Sequence, residues 1–90
     1  MAKPKFDVRL TPPAEKDFER IDPQYYPQLD KALQSLGDDA RPFNSESLTG
    51  KANKGYFRLP TGEYRIVYTI DYPKSIVYVT RVRHRRDVYR

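Results

Sequence analysis

The sequence predicts an α+β domain of order β-α-α-β-β-β, a helix hairpin packed on one face of an antiparallel sheet. Two observations carry that prediction. Apolar residues recur at helical spacing only in the first half, at Ala14, Phe18 and Ile21 and again at Leu29, Leu33 and Leu36. The second half instead alternates with period two, as in YRIVYTIDY (64–72) and SIVYVTRVR (75–83). Helices and strands are thus segregated rather than interleaved, which separates α+β from α/β architectures. The 90 residues are enough for one domain, 1–90, with one core.

The elements follow in order. KFDVRL alternates Phe6, Val8 and Leu10 against Asp7 and Arg9, as a short half-buried strand does. Thr11-Pro12-Pro13 stops it and supplies an N-cap with prolines where a helix tolerates them. Asp22-Pro23 restarts the helical pattern, Pro27 distorts the first turn, and Gly37 is the expected C-terminal stop. Residues 38–55 show no periodicity, so a long loop is expected there. YFRL (56–59) reads as a strand ending at Pro60, with Thr61-Gly62-Glu63 as a turn. Tyr64, Ile66, Tyr68, Ile70 and Tyr72 share one face of the next strand and are expected to be core. In the last strand, simple alternation places Val77, Val79, Arg81 and Arg83 on one face, and His84 on the other with Thr80 and Val82. The face left uncovered by the helices should collect Arg58, Arg65 and the terminal arginines.

Charge is distributed unevenly. Residues 1–50 carry seven Lys/Arg against nine Asp/Glu, whereas residues 51–90 carry ten against three. Solubility needs only scattered charge, so the second half points to an anionic partner, nucleic acid first and an acidic protein segment second. Seven of those ten cations are arginine, whose planar fork suits phosphate.

The absence of cysteine removes disulfides and thiolate chemistry. With one histidine and no clustered carboxylates, no plausible metal-ligand set is visible, and no cofactor is expected. MAKPKFDVRL has no apolar h-region and no apolar run exceeds four residues, so a cytoplasmic protein without a membrane partner is expected.

LTGKANKGYFRLPTGEYRIVYTID followed by VTRVRHRRDVYR resembles the RelE/ParE superfamily of type II toxins. The likeness runs over essentially the whole chain and favours the RelE-like branch. That branch cleaves mRNA in the ribosomal A site; the ParE branch inhibits DNA gyrase. Members of both pair with a cognate antitoxin, and operator DNA is reached only through that complex. A third possibility is a non-catalytic relative that binds RNA or antitoxin alone.

Cleavage by 2′-OH attack needs a proton acceptor, a proton donor for the 5′-oxygen, and stabilisation of charge on the phosphate. The resemblance places Arg58, Arg65, Arg85 and Tyr89 at the family's site positions. It implies that Arg65 and Arg85 hold the scissile phosphate. Tyr89 would stack on a base or assist proton transfer, and Arg58 would bind phosphate or depress a neighbouring pKa. A second basic residue found in some RelE enzymes is replaced here by Pro60, which leaves the general base without an owner. His84 is a candidate for that role because imidazole titrates near neutrality; against it, the ring could point into the other layer. Lys51 and Lys54 are spare candidates, and Arg81, Arg83 and Arg86 are expected to attract RNA.

Overall fold

A computed structural model describes residues 4–86. Its elements are β1 (Asp7–Leu10), α1 (Pro12–Glu19), a 3-10 turn (Pro23–Tyr25), α2 (Tyr26–Asp38), β2 (Glu46–Ser47), β3 (Tyr56–Thr61), β4 (Tyr64–Asp71) and β5 (Ile76–His84). The five strands form one sheet in the order β1-β5-β4-β3-β2. β3, β4 and β5 make the expected antiparallel meander, and β1 joins it in parallel, with Val8 opposite Val77 and Leu10 opposite Val79.

Both helices bury their apolar stripes on the same face of this sheet. Ala14, Ile21, Leu29 and Leu36 meet Leu59, Ile66, Tyr68, Val77, Val79 and Val82 in one core. Tyr68 is fully buried, and its hydroxyl donates to the Ala40 carbonyl at 2.8 Å, so the phenol is satisfied where it enters the core. Tyr64 is half-buried at one end of β4, but Tyr72, expected in the core, is 58% exposed, because β4 ends at Asp71 and Tyr72 lies in the turn beyond it.

Four further details differ from expectation. α2 runs through Gly37 to Asp38; Gly37 is helical and buried because its carbonyl accepts the Phe6 N–H at 2.9 Å, and a Cβ there would lie 3.3 Å from the Phe6 oxygen. It is a close-approach glycine, not a stop. β3 continues through Pro60 to Thr61, pairing Pro60 with Arg65, since β3 is bordered there only by β4 and proline is tolerated on such an edge. The segment 38–55 is not all loop: Glu46–Ser47 pairs with Phe57 and Arg58, and Lys51–Asn53 forms a 3-10 turn.

The fourth concerns the last strand. Val67 pairs with Arg81 but Tyr68 pairs with Val79, so Thr80 is an inserted residue, a β-bulge. Val77, Val79 and Val82 are therefore all buried, and Arg81 and Arg83 leave the face shared by Val77 and Val79. Were Thr80 paired in line rather than bulged, strand parity would drive both arginines into the helices.

Candidate functional site

The register sorts the side chains of the uncovered face into rows. One row runs Glu46, Arg58, Val67, Arg81, and the next runs Pro60, Arg65, Arg83. Arg58 is thus a diagonal neighbour of Arg65, a spacing of about 7–8 Å that long side chains can bridge. Arg65 stands directly opposite Arg83, a like-charge pairing that ordinarily destabilises a sheet. Arg65 eases it by folding back, donating to the carbonyls of Gly62 at 3.1 Å and Tyr64 at 2.9 Å. The hairpin that makes this possible has Gly62 at φ +60°, a conformation open to glycine at the first position of a tight turn.

Arg58 does not stand open. Its Nη2 pairs with the Glu46 carboxylate, brought alongside by the short β2, and its Nε is shielded without a partner. That hydrogen bond and the Arg58 charge hold the Glu46 carboxyl below its ordinary value. The sequence reading missed Glu46, because a two-residue strand carries no periodicity.

The end of β5 is tied to the hairpin. The Arg85 N–H donates to the Glu63 carbonyl at 2.6 Å, and His84 Nε2 lies 3.1 Å from the Glu63 carboxylate. The Arg86 N–H donates to His84 Nδ1 at 3.2 Å. These two contacts fix the orientation of the ring. His84 also meets the Tyr64 ring edge-on at 5.3 Å, on the helix-covered side of the sheet. Both nitrogens are engaged in holding the chain that carries Arg85 and Arg86, and neither points at the arginine rows.

Arg81 is committed elsewhere. Its Nε and Nη2 reach the Asp17 carboxylate of α1 at 2.8 and 3.1 Å, and Asp17 also accepts the Val82 N–H at 2.9 Å. Burial would raise the Asp17 pKa, but the Arg81 hydrogen bond, the Val82 N–H and the charges of Arg81 and Arg83 outweigh it and hold the carboxyl below its usual range. The same contact raises Arg81.

The structure therefore brings Arg58, Arg65 and the Arg85 main chain to one end of the uncovered face. Lys51 and Lys54 are exposed on the 3-10 turn that precedes β3, and Arg85 and Arg86 are exposed at the last described turn. Tyr89 lies outside the described residues. Among the described residues no three His, Asp or Glu side chains converge as a metal site would require, and no helix is long and apolar enough to cross a membrane.

Comparison with known proteins gives this fold its family. The family model described as the ParE toxin of the type II toxin-antitoxin system parDE matches residues 8–89. The chain belongs to that toxin family. It is 30% identical over 86 residues to the toxin RelG of Mycobacterium tuberculosis, covering 94% of this chain and 97% of that one. Among solved structures, the toxin–antitoxin complex RelBE2 from M. tuberculosis contains a chain similar at a TM-score of 0.79 and 26% identity, with coverage of 90% and 98%. The isolated RelE toxin of Escherichia coli shares the fold at a TM-score of 0.74 and 21% identity, covering 88% of this chain and 83% of that one. This toxin is thus a RelE/ParE-type protein of the α+β class its sequence predicted, with two helices on a mostly antiparallel sheet whose fifth strand, β2, was not foreseen.

Proposed function

We propose that this toxin is a metal-independent, ribosome-dependent mRNA endonuclease that cleaves by attack of a 2′-OH on the adjacent phosphate. The observation that supports it most is the juxtaposition on one rigid, helix-free face of Arg58 and Arg65 with the carboxylate of Glu46. Arg65 has donors that can turn from backbone carbonyls to a phosphate, and Arg85 stands one step beyond its row. These two arginines hold the scissile phosphate and meet the charge that builds on its oxygens. Glu46 is the proton acceptor on this face. Arg58 keeps it ionised but makes it a weak base, so the intrinsic rate is low and the ribosome supplies the orientation. His84 positions the terminal turn, and Tyr89 is assigned to base stacking or proton delivery to the leaving oxygen.

The partners proposed with this reading are the ribosome and mRNA and a cognate antitoxin that covers the basic face with acidic and apolar residues. Operator DNA is reached only within that complex, and the setting is the cytoplasm. The structural relatives crystallised as toxin–antitoxin complexes support the antitoxin.

Primer extension on a defined mRNA, with and without programmed ribosomes, tests the reading. Cuts at the A-site codon that need ribosomes and vanish in Arg65→Ala and Glu46→Ala support it. Intact mRNA under conditions where the protein still arrests growth refutes it. The match to the ParE family model makes DNA gyrase inhibition the second reading, and a supercoiling assay then decides it.

A further inference from the structure

A second cationic site lies around the edge of the sheet from the arginine rows. Beyond Val79, β5 has no β1 beside it, and α1 leans over the exposed edge. Between them opens a cleft of about 430 Å³ lined by Arg20, Ile21, Tyr64, Arg81, Arg83 and His84, with Asp17 at its base. Ile21 and Val82 are buried and give the cleft an apolar floor. Three guanidinium groups therefore meet there with one carboxylate, and that carboxylate is already spent on Arg81 and on the Val82 N–H. Among the described residues neither Arg20 nor Arg83 has an ion-pair partner. Two arginines without a carboxylate, beside a third and over an apolar floor, make a site of net positive charge that attracts an anion.

Arg83 connects this cleft to the uncovered face. By register it stands opposite Arg65, yet its side chain lines the cleft and its charge acts on Asp17. The two sites thus meet at neighbouring positions of β4 and β5. An acidic protein segment would need only charge. A nucleic acid fits the forked donors and the spacing better, because its phosphates are joined in series.

We propose that the α1–β5 cleft, through Arg20 and Arg83, binds a second phosphate of the RNA strand whose scissile phosphate lies at Arg65, so that the strand crosses the exposed edge of β5. This rests on the nuclease reading for the identity of the strand. Arg20 belongs to no part of the catalytic set, and its guanidinium serves affinity alone.

The test is equilibrium binding of a fluorescent, uncleavable 2′-deoxy-substituted oligoribonucleotide across a salt series, run on the full-length toxin. Each phosphate contact to a single strand contributes a slope of about −0.7 in log K against log salt. Arg20→Ala is expected to make the slope shallower by about 0.7 and to weaken binding about tenfold at low salt. Arg20→Lys should restore the slope but not the full affinity, since it returns the charge without the fork. Arg9→Ala removes an exposed arginine paired with Asp7 outside the cleft and should leave the slope alone. Equal changes in Arg20→Ala and Arg9→Ala would mean net charge only and would overturn the site, as would no change in Arg20→Ala. Loss of binding to an acidic peptide with RNA binding intact would assign the cleft to a protein partner and also overturn it. Ribosome-dependent cleavage is scored separately. A shifted slope without any cleavage leaves the cleft standing and removes the nuclease, whereas cleavage with an unshifted slope does the reverse.

Discussion

Strand β5 behaves differently on the two sides of Thr80. On one side, residues 76–79 are paired with β4 and with β1, and Val77 and Val79 are wholly buried under the helices. On the other, residues 81–84 pair with β4 alone, and three of the four are cationic or titratable side chains turned toward solvent, the cleft or the hairpin. The two halves share a sheet and a core, since Val82 is buried as well. What separates them is one inserted residue. Thr80 donates to the Val67 carbonyl at 3.2 Å, and its own carbonyl accepts from the Thr11 hydroxyl at 3.2 Å, so the bulge is pinned from both sides. A strand that ends in arginines can therefore close a core and still carry its charges outside it.

Carrying a charge across that division is the most drastic way to break the comparison. Val79→Arg places a guanidinium on the fully buried side of the doubly paired half, whereas deletion of Thr80 leaves Val79, Arg81, Val82 and Arg83 in regular alternation opposite the same β4 partners. An unpaired buried charge costs several kcal/mol, against a total stability of about 5–15 kcal/mol. No cooperative unfolding transition should be seen by circular dichroism for Val79→Arg; a variant as stable as wild type would show that the two halves do not differ in burial.

Arg65→Ala probes the functional half alone. The proposed loss of transition-state stabilisation is about 2.7–4 kcal/mol, or 10²–10³ in kcat, with the urea midpoint unchanged because Arg65 bonds only to adjacent carbonyls of its own hairpin. Cleavage within a few-fold of wild type would remove Arg65 from the site.

Asp17 joins the two halves by clamping α1 to the strand just past the bulge. Asp17→Ala leaves the Val82 N–H and Arg81 without their acceptor and should cost about 2 kcal/mol in urea denaturation. The folded pKa of Asp17 is depressed, so its contribution is complete above its ordinary value of 3.8 and fades as the pH falls from there through the folded value. Wild type should thus lose stability on acidification below that point relative to Asp17→Asn, in which nothing titrates at this position. Parallel curves for the two proteins would deny the clamp.

The smallest effect is expected at His84. His84→Asn keeps an acceptor for the Arg86 N–H and should leave cleavage within about threefold of wild type, or about 0.6 kcal/mol. A fall of 10²–10⁴, the range for a lost general acid or base, would return His84 to the chemistry.

Much of this molecule was legible in its residues. The leucine spacing of α2, the Tyr64–Ile70 alternation and the basic second half each reflect a local rule, a helical turn, a pleat or a charge count. The bulge was legible too, had the three-residue step from Val79 to Val82 been weighed against strict alternation. Glu46 was not: nothing within residues 38–55 says that they cross beside β3, since that pairing depends on Phe57 and Arg58, ten and more residues onward. Arg20 was similarly hidden, as a cap residue of α1 whose neighbour in the cleft, Arg83, is 63 positions away.

The sequence by itself determined the number and order of the main elements, the core residues and the excess of cation at one end, because these follow from periodicity and composition. Tertiary structure alone decided which cations are free to act. It paired Arg81 with Asp17 and Arg58 with Glu46, fixed His84 by both nitrogens, and left Arg20 and Arg83 in a shared cleft without an ion-pair partner among the described residues. The physical reason is that an arginine's availability is set by which carboxylate the fold carries within about 4 Å of it, and that distance spans strands and helices remote in the chain.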